Sequence, residues 1–171
     1  MLQLSNTLLN KPVLSLRTGT PVAVVTEPII NPDSLKIEGF YCEDRFNHAR
    51  LVLLCQDIRD FIRQGFVIND HDVLANPEEL IRLKSLMHLH FVLINKPIIT
   101  VSKSKVGKVS DYATDISSMY IQKLYVSQSI LKSFTGGSLS IDRSQVIEIT
   151  RDKIIIADLA AKVRANANAM A

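Results

Sequence analysis

The side chains with the widest chemical reach in this chain are four histidines and two cysteines. His88 and His90 flank Leu89, and His71 lies between Asp70 and Asp72. Residues two apart share one face of a strand, so His88 and His90 have a spacing that suits a pair of metal ligands. Neither cluster adds cysteine or further carboxylates at metal-ligand spacing. Both therefore read as polar residues at a helix end and in a loop, and neither a metal nor a cofactor is expected. For nucleophilic chemistry there is no Gly-x-Ser-x-Gly and no cysteine and histidine set in a recognisable context. Thr135-Gly136-Gly137 lacks the Lys-Ser/Thr that completes a phosphate-binding loop. Nothing here argues for catalysis, and a non-enzyme is the expectation. Cys42 and Cys55 sit in apolar strand-like runs, which suits buried thiols in a reducing compartment.

Lysines form the other candidate site. Lys96, Lys103, Lys105 and Lys108 cluster with no acid until Asp111. If Lys103 and Lys105 point from one strand face, they make a positive patch able to meet RNA phosphates or an acidic protein. The plainer role of such lysines is to keep a hairpin soluble and to discourage edge pairing. Tyr112 and Tyr120 read as partly buried packing rather than stacking platforms for bases. The formal charge of +3 and the pI of about 8.9 are well short of a nucleic-acid-binding tail.

The elements that must position these residues come in two copies. Leu9-Asn10-Lys11-Pro12-Val13 returns as Ile94-Asn95-Lys96-Pro97-Ile98, 85 residues further on in a chain of 171. Apolar runs follow in both: Val13, Leu14 and Leu16 against Ile98, Ile99 and Val101. The second copy then drops one residue, and Ser34-Leu35-Lys36-Ile37 matches Ser118-Met119-Tyr120-Ile121. This is an internal duplication. It sets two modules, residues 1–88 and 89–171. Modules of this size bury only about 60–70% of their unfolded surface, so they are expected to pack together.

In the first copy, Ser5 to Leu16 reads as a strand after a short N-terminal arm. Pro12 belongs at a strand start or an edge, because it cannot donate to an interior ladder. Gly19 supplies a turn, and Val22, Val24 and Val25 make the return strand. The prolines of Glu27 to Asp33 break it. Leu35, Ile37 and Gly39 alternate with Lys36 and Glu38, the period of a half-buried strand. Glu43 to Arg50 is a hairpin connection, Ala49 to Cys55 a strand, Gln56 to Phe61 a short turn, and Gly65 to Asp70 the last strand. Asn76-Pro77-Glu78-Glu79 opens a helix: Asn76 caps, Pro77 takes the first position, and Glu79 sits at capping-box spacing. Leu80, Leu83 and Met87 give that helix an apolar face. In the second copy, Met119 to Val126 alternates, Leu139, Ile141 and Val146 to Ile149 continue the strands, and Ile154-Ile155-Ile156 matches Phe66-Val67-Ile68. Asn31 and Asp115, at equivalent places, are expected to cap turns through their side chains. Asp158 is placed as the cap of a short C-terminal helix through Leu159 and Val163, and residues 165–169 as a frayed end.

A strand, a glycine-containing turn, a return strand, an Asp/Asn break, an alternating strand and a later Val/Ile strand together resemble the PRC-barrel family. The residues that carry it are Pro12-Val13 through Thr18-Gly19, Val24 with Ile30-Asn31-Pro32, Leu35-Lys36-Ile37, Leu53-Leu54 with Asp57-Ile58, and Val67-Ile68. Pro97-Ile98, Val106-Gly107-Lys108-Val109, Asp115, Tyr120-Ile121, Val146-Ile147 and Ile154-Ile155 carry it in the second copy. Pro21-Val22-Ala23 departs from the pattern. The resemblance implies a mainly β protein of two tandem small antiparallel β-barrels, with the connecting helix and the C-terminal helix added. It implies no catalytic residues. It implies a binding or assembly module with a protein partner, in ribosome or ribonucleoprotein assembly by analogy. Direct RNA binding through the lysines and a ligand-sensing or self-associating role are the alternatives. The start of the chain lacks the pattern of a signal peptide, and no apolar run approaches the ~20 residues that span a bilayer. A cytoplasmic location without membrane insertion is the expectation.

Overall fold

The computed structural model describes residues 1–127 and 139–158. The chain is mainly β and divides into two compact units. The first is Met1–Phe91 with Ala113–Gln122; the second is Val92–Tyr112 with the chain from Lys123 on.

In the first unit, β1 (Leu2–Leu4) and a helical turn, α1 (Ser5–Leu8), precede six strands. These are β2 (Pro12–Ser15), β3 (Pro21–Asn31), β4 (Lys36–Asp44), β5 (Arg50–Leu54), β6 (Asp60–Ile62) and β7 (Gly65–Ile68). They form one sheet in the order β5-β4-β3-β2-β7-β6. All neighbours are antiparallel except β2 and β7, which run parallel with Val13 opposite Phe66 and Ser15 opposite Ile68. In the second copy β8 (Pro97–Thr100), β9 (Lys105–Asp115), β10 (Ile121–Ser127), β11 (Leu139–Asp142), β12 (Val146–Ile149) and β13 (Ile154–Ile156) repeat that path as β11-β10-β9-β8-β13-β12, the end of β9 and the start of β10 belonging to the first unit. Again a parallel pair joins the first strand to the last, with Ile98 opposite Ile154. β1 is the addition: it pairs with the end of β9 inside the first unit.

The two copies match in detail. Each has a bulge at the same place, between Val13 and Leu14 and between Ile98 and Ile99. Each has a 3₁₀ turn before its penultimate strand, Cys55–Asp57 and Arg143–Gln145. Positive φ recurs at Asn10 (62°) and Asn95 (67°), at Gly19 (69°) and Lys103 (67°), and at Leu35 (52°) and Met119 (60°). The residue missing from the second copy falls in the hairpin turn: the Ser15 N–H donates to the Thr20 carbonyl, the Thr100 N–H to the Ser104 carbonyl.

Several expectations are corrected. Neither sheet is a closed barrel, and neither is wholly antiparallel. Ser5 to Leu16 is not one strand, since Ser5–Leu8 is helical and Asn10 turns the chain before β2. Asp60–Ile62 is a strand rather than part of a turn. The single helix from Glu78 to Met87 is a broken one. Pro77–Glu79 and Ile81–Leu83 are 3₁₀ turns, Leu80 between them leaves the helical region (φ −89°, ψ 78°), and only α2 (Lys84–Leu89) is α-helical. Asn76 does cap this segment, but its side chain accepts from the Glu78 N–H. The break follows from packing: Leu80, Leu86 and Met87 all lie against Ile29, Tyr41 and Val52, and tertiary contact outweighs helix propensity. The Thr135-Gly136-Gly137 turn, the helix expected through Leu159 and Val163, and the tail at 165–169 lie outside the described residues.

Each unit has its own apolar core. In the first, Phe66 on β7 has no exposed surface and lies 5.0 Å from Phe40 and 4.8 Å from Phe61, between ring centroids. In the second, Leu93, Ile98, Val109, Leu124, Ile141 and Ile154 are buried. Among the described residues no helix is long and apolar enough to cross a membrane.

Candidate functional site

The lysines gather on the hairpin of β8 and β9. Lys105 and Lys108 are three apart, which on a regular strand would put them on opposite faces. The bulge prevents that. Lys105 lies opposite Ile99 and Lys108 opposite Pro97, while Gly107 faces the buried Ile98. Cross-strand partners share a face, so both lysines stand on the outer one. Lys103 is not on a strand; it occupies the left-handed position of the turn at the hairpin's tip. All three side chains are exposed, and among the described residues none has an ion-pair partner. Lys96 does not join them. It is half-buried, and its Nζ donates to the Arg151 carbonyl at 2.6 Å. Val101, 55% exposed, adds an apolar group beside the turn. Tyr112 is buried and Tyr120 half-buried, as their packing role requires.

An aspartate after the last strand clasps each hairpin turn. Asp70 accepts from the Ser15 hydroxyl at 2.9 Å and pairs with Arg17 at 3.3 Å. Asp158, the equivalent residue, accepts from the Ser102 hydroxyl and from the Ser102 N–H at 3.2 Å. The His71 N–H and the Ser15 hydroxyl hold Asp70 below the usual carboxylate range, and the Ser102 donors do the same for Asp158. Asn31 and Asp115 cap turns as expected: Asn31 accepts from the Asp33 N–H, Asp115 from the Ser117 and Ser118 hydroxyls. Sequence inspection missed the clasp because its halves are over fifty residues apart. The available signal was an Asp in both copies two residues after the equivalent strand ends Val67-Ile68 and Ile155-Ile156.

His71 has a partner that its neighbours in sequence do not reveal. Its Nε2 lies 2.8 Å from Oδ2 of Asp44, whose side chain is 4% exposed. Burial alone would raise the Asp44 pKa. The Phe46 N–H, the His71 ring and the Asn47 N–H together outweigh it and hold the carboxyl low. Phe46, 70% exposed, meets the His71 ring edge-on at 5.5 Å.

His88 and His90 line a cleft of about 510 Å³ with Tyr41, Arg50, Lys84 and Met87. A larger cleft, about 840 Å³, lies under the 3₁₀ turns and is lined by Lys36, Glu38, Leu54, Cys55 and Leu86 among others. Burial pushes the Cys42 and Cys55 thiols up to about 12, and both are free. Among the described residues no three His, Cys, Asp or Glu side chains stand together as a metal site. Compared with models of known protein families and with curated proteins, the chain matches none.

Proposed function

We propose that this chain is a non-catalytic binding protein, an adaptor of two PRC-barrel-like modules whose β8–β9 hairpin docks an acidic protein partner. The observation that carries this is the bulge that brings Lys105 and Lys108 onto one exposed face, beside Lys103 and the exposed Val101. A charged face with an apolar residue is the composition of an interface that steers and then anchors. The duplicated strand path supports the family kinship, and free thiols suit a reducing compartment such as the cytoplasm. A protein partner is favoured over RNA because, among the described residues, no exposed aromatic ring accompanies the lysines as a stacking platform, Tyr112 being buried. The family resemblance makes ribonucleoprotein assembly the setting to test first.

The test is affinity purification of the tagged protein from its own cells, with and without nuclease and at low and high salt. A stoichiometric protein that survives nuclease, and is lost from Lys103→Glu/Lys105→Glu/Lys108→Glu, is the expected result. Loss of everything on nuclease treatment moves the site to RNA. Recovery of the chain alone, with a concentration-dependent mass in sedimentation, makes it self-associating.

A further inference from the structure

We infer that the cleft holding His88 and His90 is a binding site for a small phosphate ester. The site is built by four elements of the first unit, β4, β5, the 3₁₀ turn Pro77–Glu79 and α2. Tyr41 on β4 is 8% exposed and fixed in the core with Ile29 and Val52. The Arg50 guanidinium lies on its ring, 3.7 Å from the centroid. A guanidinium stacked on a rigid ring keeps its N–H edge available for a bidentate oxyanion. Its present partner is Glu27 at 3.5 Å, and both side chains are more than half exposed. An ion pair so open to water is weak and readily exchanged.

α2 supplies the opposite wall. Lys84 and His88 are one helical turn apart and share a face. His90 follows the helix in the left-handed conformation, φ 45° and ψ 45°. That turn brings its ring into the same cleft as His88 instead of carrying it onward. A left-handed residue is a common way to end a helix, and at the end of α2 it is a histidine in place of the usual glycine. Arg50 and Lys84 are the fixed cations; Glu78 lines the cleft with them and Glu27 pairs with Arg50 at its edge, so an oxyanion enters by displacing Glu27 from the guanidinium. Pro77 and Met87 complete the lining with apolar surface. The volume of about 510 Å³ suits a small organic molecule, since ligand sites commonly span about 300–1,000 Å³. A phosphate on an apolar body matches this distribution: oxyanion toward Arg50, Lys84 and the imidazoles, body against Pro77 and Met87.

The experiment is a titration of the full chain with phenyl phosphate, inorganic phosphate and acetate at constant ionic strength, followed by the imidazole C–H resonances. Of the four histidines, His88 and His90 line the cleft and His48 and His71 do not. Saturable shifts of His88 and His90 with phenyl phosphate, while His48 and His71 stay in place, are expected. Inorganic phosphate should bind at least fivefold more weakly and acetate should not saturate. Lys84→Gln, an exposed change, should weaken phenyl phosphate about tenfold. Equal affinity for both phosphates overturns the ester assignment in favour of free phosphate. Unsaturable shifts, or equal movement of all four histidines, overturn the site. Saturation only by an oligonucleotide, lost at high salt, overturns it in favour of a nucleic-acid backbone.

Discussion

Replacing Gly65 by alanine tests how the parallel pair of strands is made. Gly65 opens β7 at φ 152°, and a Cβ placed there falls 2.1 Å from the Pro12 carbonyl oxygen on β2. That is more than 1 Å inside ordinary van der Waals contact. The obstacle is backbone, so no rotamer change relieves it; β7 must move away from β2. The next residue, Phe66, has no exposed surface and is packed between two phenyl rings, so the movement also loosens the core. Backbone strain of about 1–3 kcal/mol, with one or two ladder hydrogen bonds at about 1 kcal/mol each, gives a cost of about 2–5 kcal/mol. Gly19 is the internal control. It sits at φ 69° with nothing within 4 Å of the point a Cβ would occupy, so Gly19→Ala carries only the left-handed penalty, about 1 kcal/mol. The assay is native-state hydrogen exchange with urea denaturation alongside. Amides of Phe66 to Ile68 should exchange about 10²–10³ times faster in Gly65→Ala, and less than about tenfold faster in Gly19→Ala. Equal effects of the two substitutions, or a Gly65→Ala protein within about 0.5 kcal/mol of the parent, would refute the reasoning.

Lys103 holds the left-handed position that Gly19 fills in the first copy, so Lys103→Gly should be about 1 kcal/mol more stable than Lys103→Ala by urea denaturation. Asp44→Ala removes the buried acceptor of His71 and of the Phe46 N–H, and should cost about 2–4 kcal/mol by the same measurement. The folded pKa of Asp44 is depressed, so its stabilisation is present above its unfolded pKa and is lost as pH falls through the folded one. Stability should therefore fall with pH below about 4, and less steeply in Asp44→Asn, when unfolding is followed by circular dichroism across pH 2–6. Both thiols, raised to about 12, should resist a thiol reagent at pH 8 in the native protein and react fully in urea.

Much of the strand plan was legible because period-two alternation acts locally. The prolines of Glu27 to Asp33, however, do not break the return strand as expected: β3 runs unbroken from Pro21 to Asn31 with Pro28 opposite Phe40, a bulge on either side absorbing the missing donor. Pro12 and Pro97 both begin strands, and Asn31 and Asp115 both cap turns. Repetition made further features visible, since Asn10 and Asn95 share the left-handed backbone that asparagine tolerates. Closure was not legible: it depends on strand tilt and stagger, which alternation does not encode. The parallel pair joins residues over fifty apart, such as Val13 and Phe66. The lysine face depended on one bulge, which shifts Lys105 and Lys108 into line without any mark in composition. The break at Leu80 was hidden because Asn76-Pro77 and the apolar spacing are correct for a helix, while packing against Ile29, Tyr41 and Val52 decides the backbone. His88 and His90 were singled out, but Arg50 and Tyr41 beside them are more than thirty residues away in sequence.

Within the first unit, the turn at Leu35 meets the matching turn at Met119. Ile37 donates to the Met119 carbonyl and Ile121 donates to the Leu35 carbonyl, each at 2.8 Å, with Lys36 opposite Tyr120. Swapping the two repeats maps this bridge onto itself, which is the symmetry of an isologous contact. Two identical chains meeting in this way would have to set lysine against lysine or tyrosine against tyrosine. A single chain is released from that rule. Here the central pair has become Lys36 over the Tyr120 ring, 5.6 Å from its centroid, an attractive contact between unlike partners. Covalent fusion thus lets a contact keep a two-fold backbone while its side chains become asymmetric.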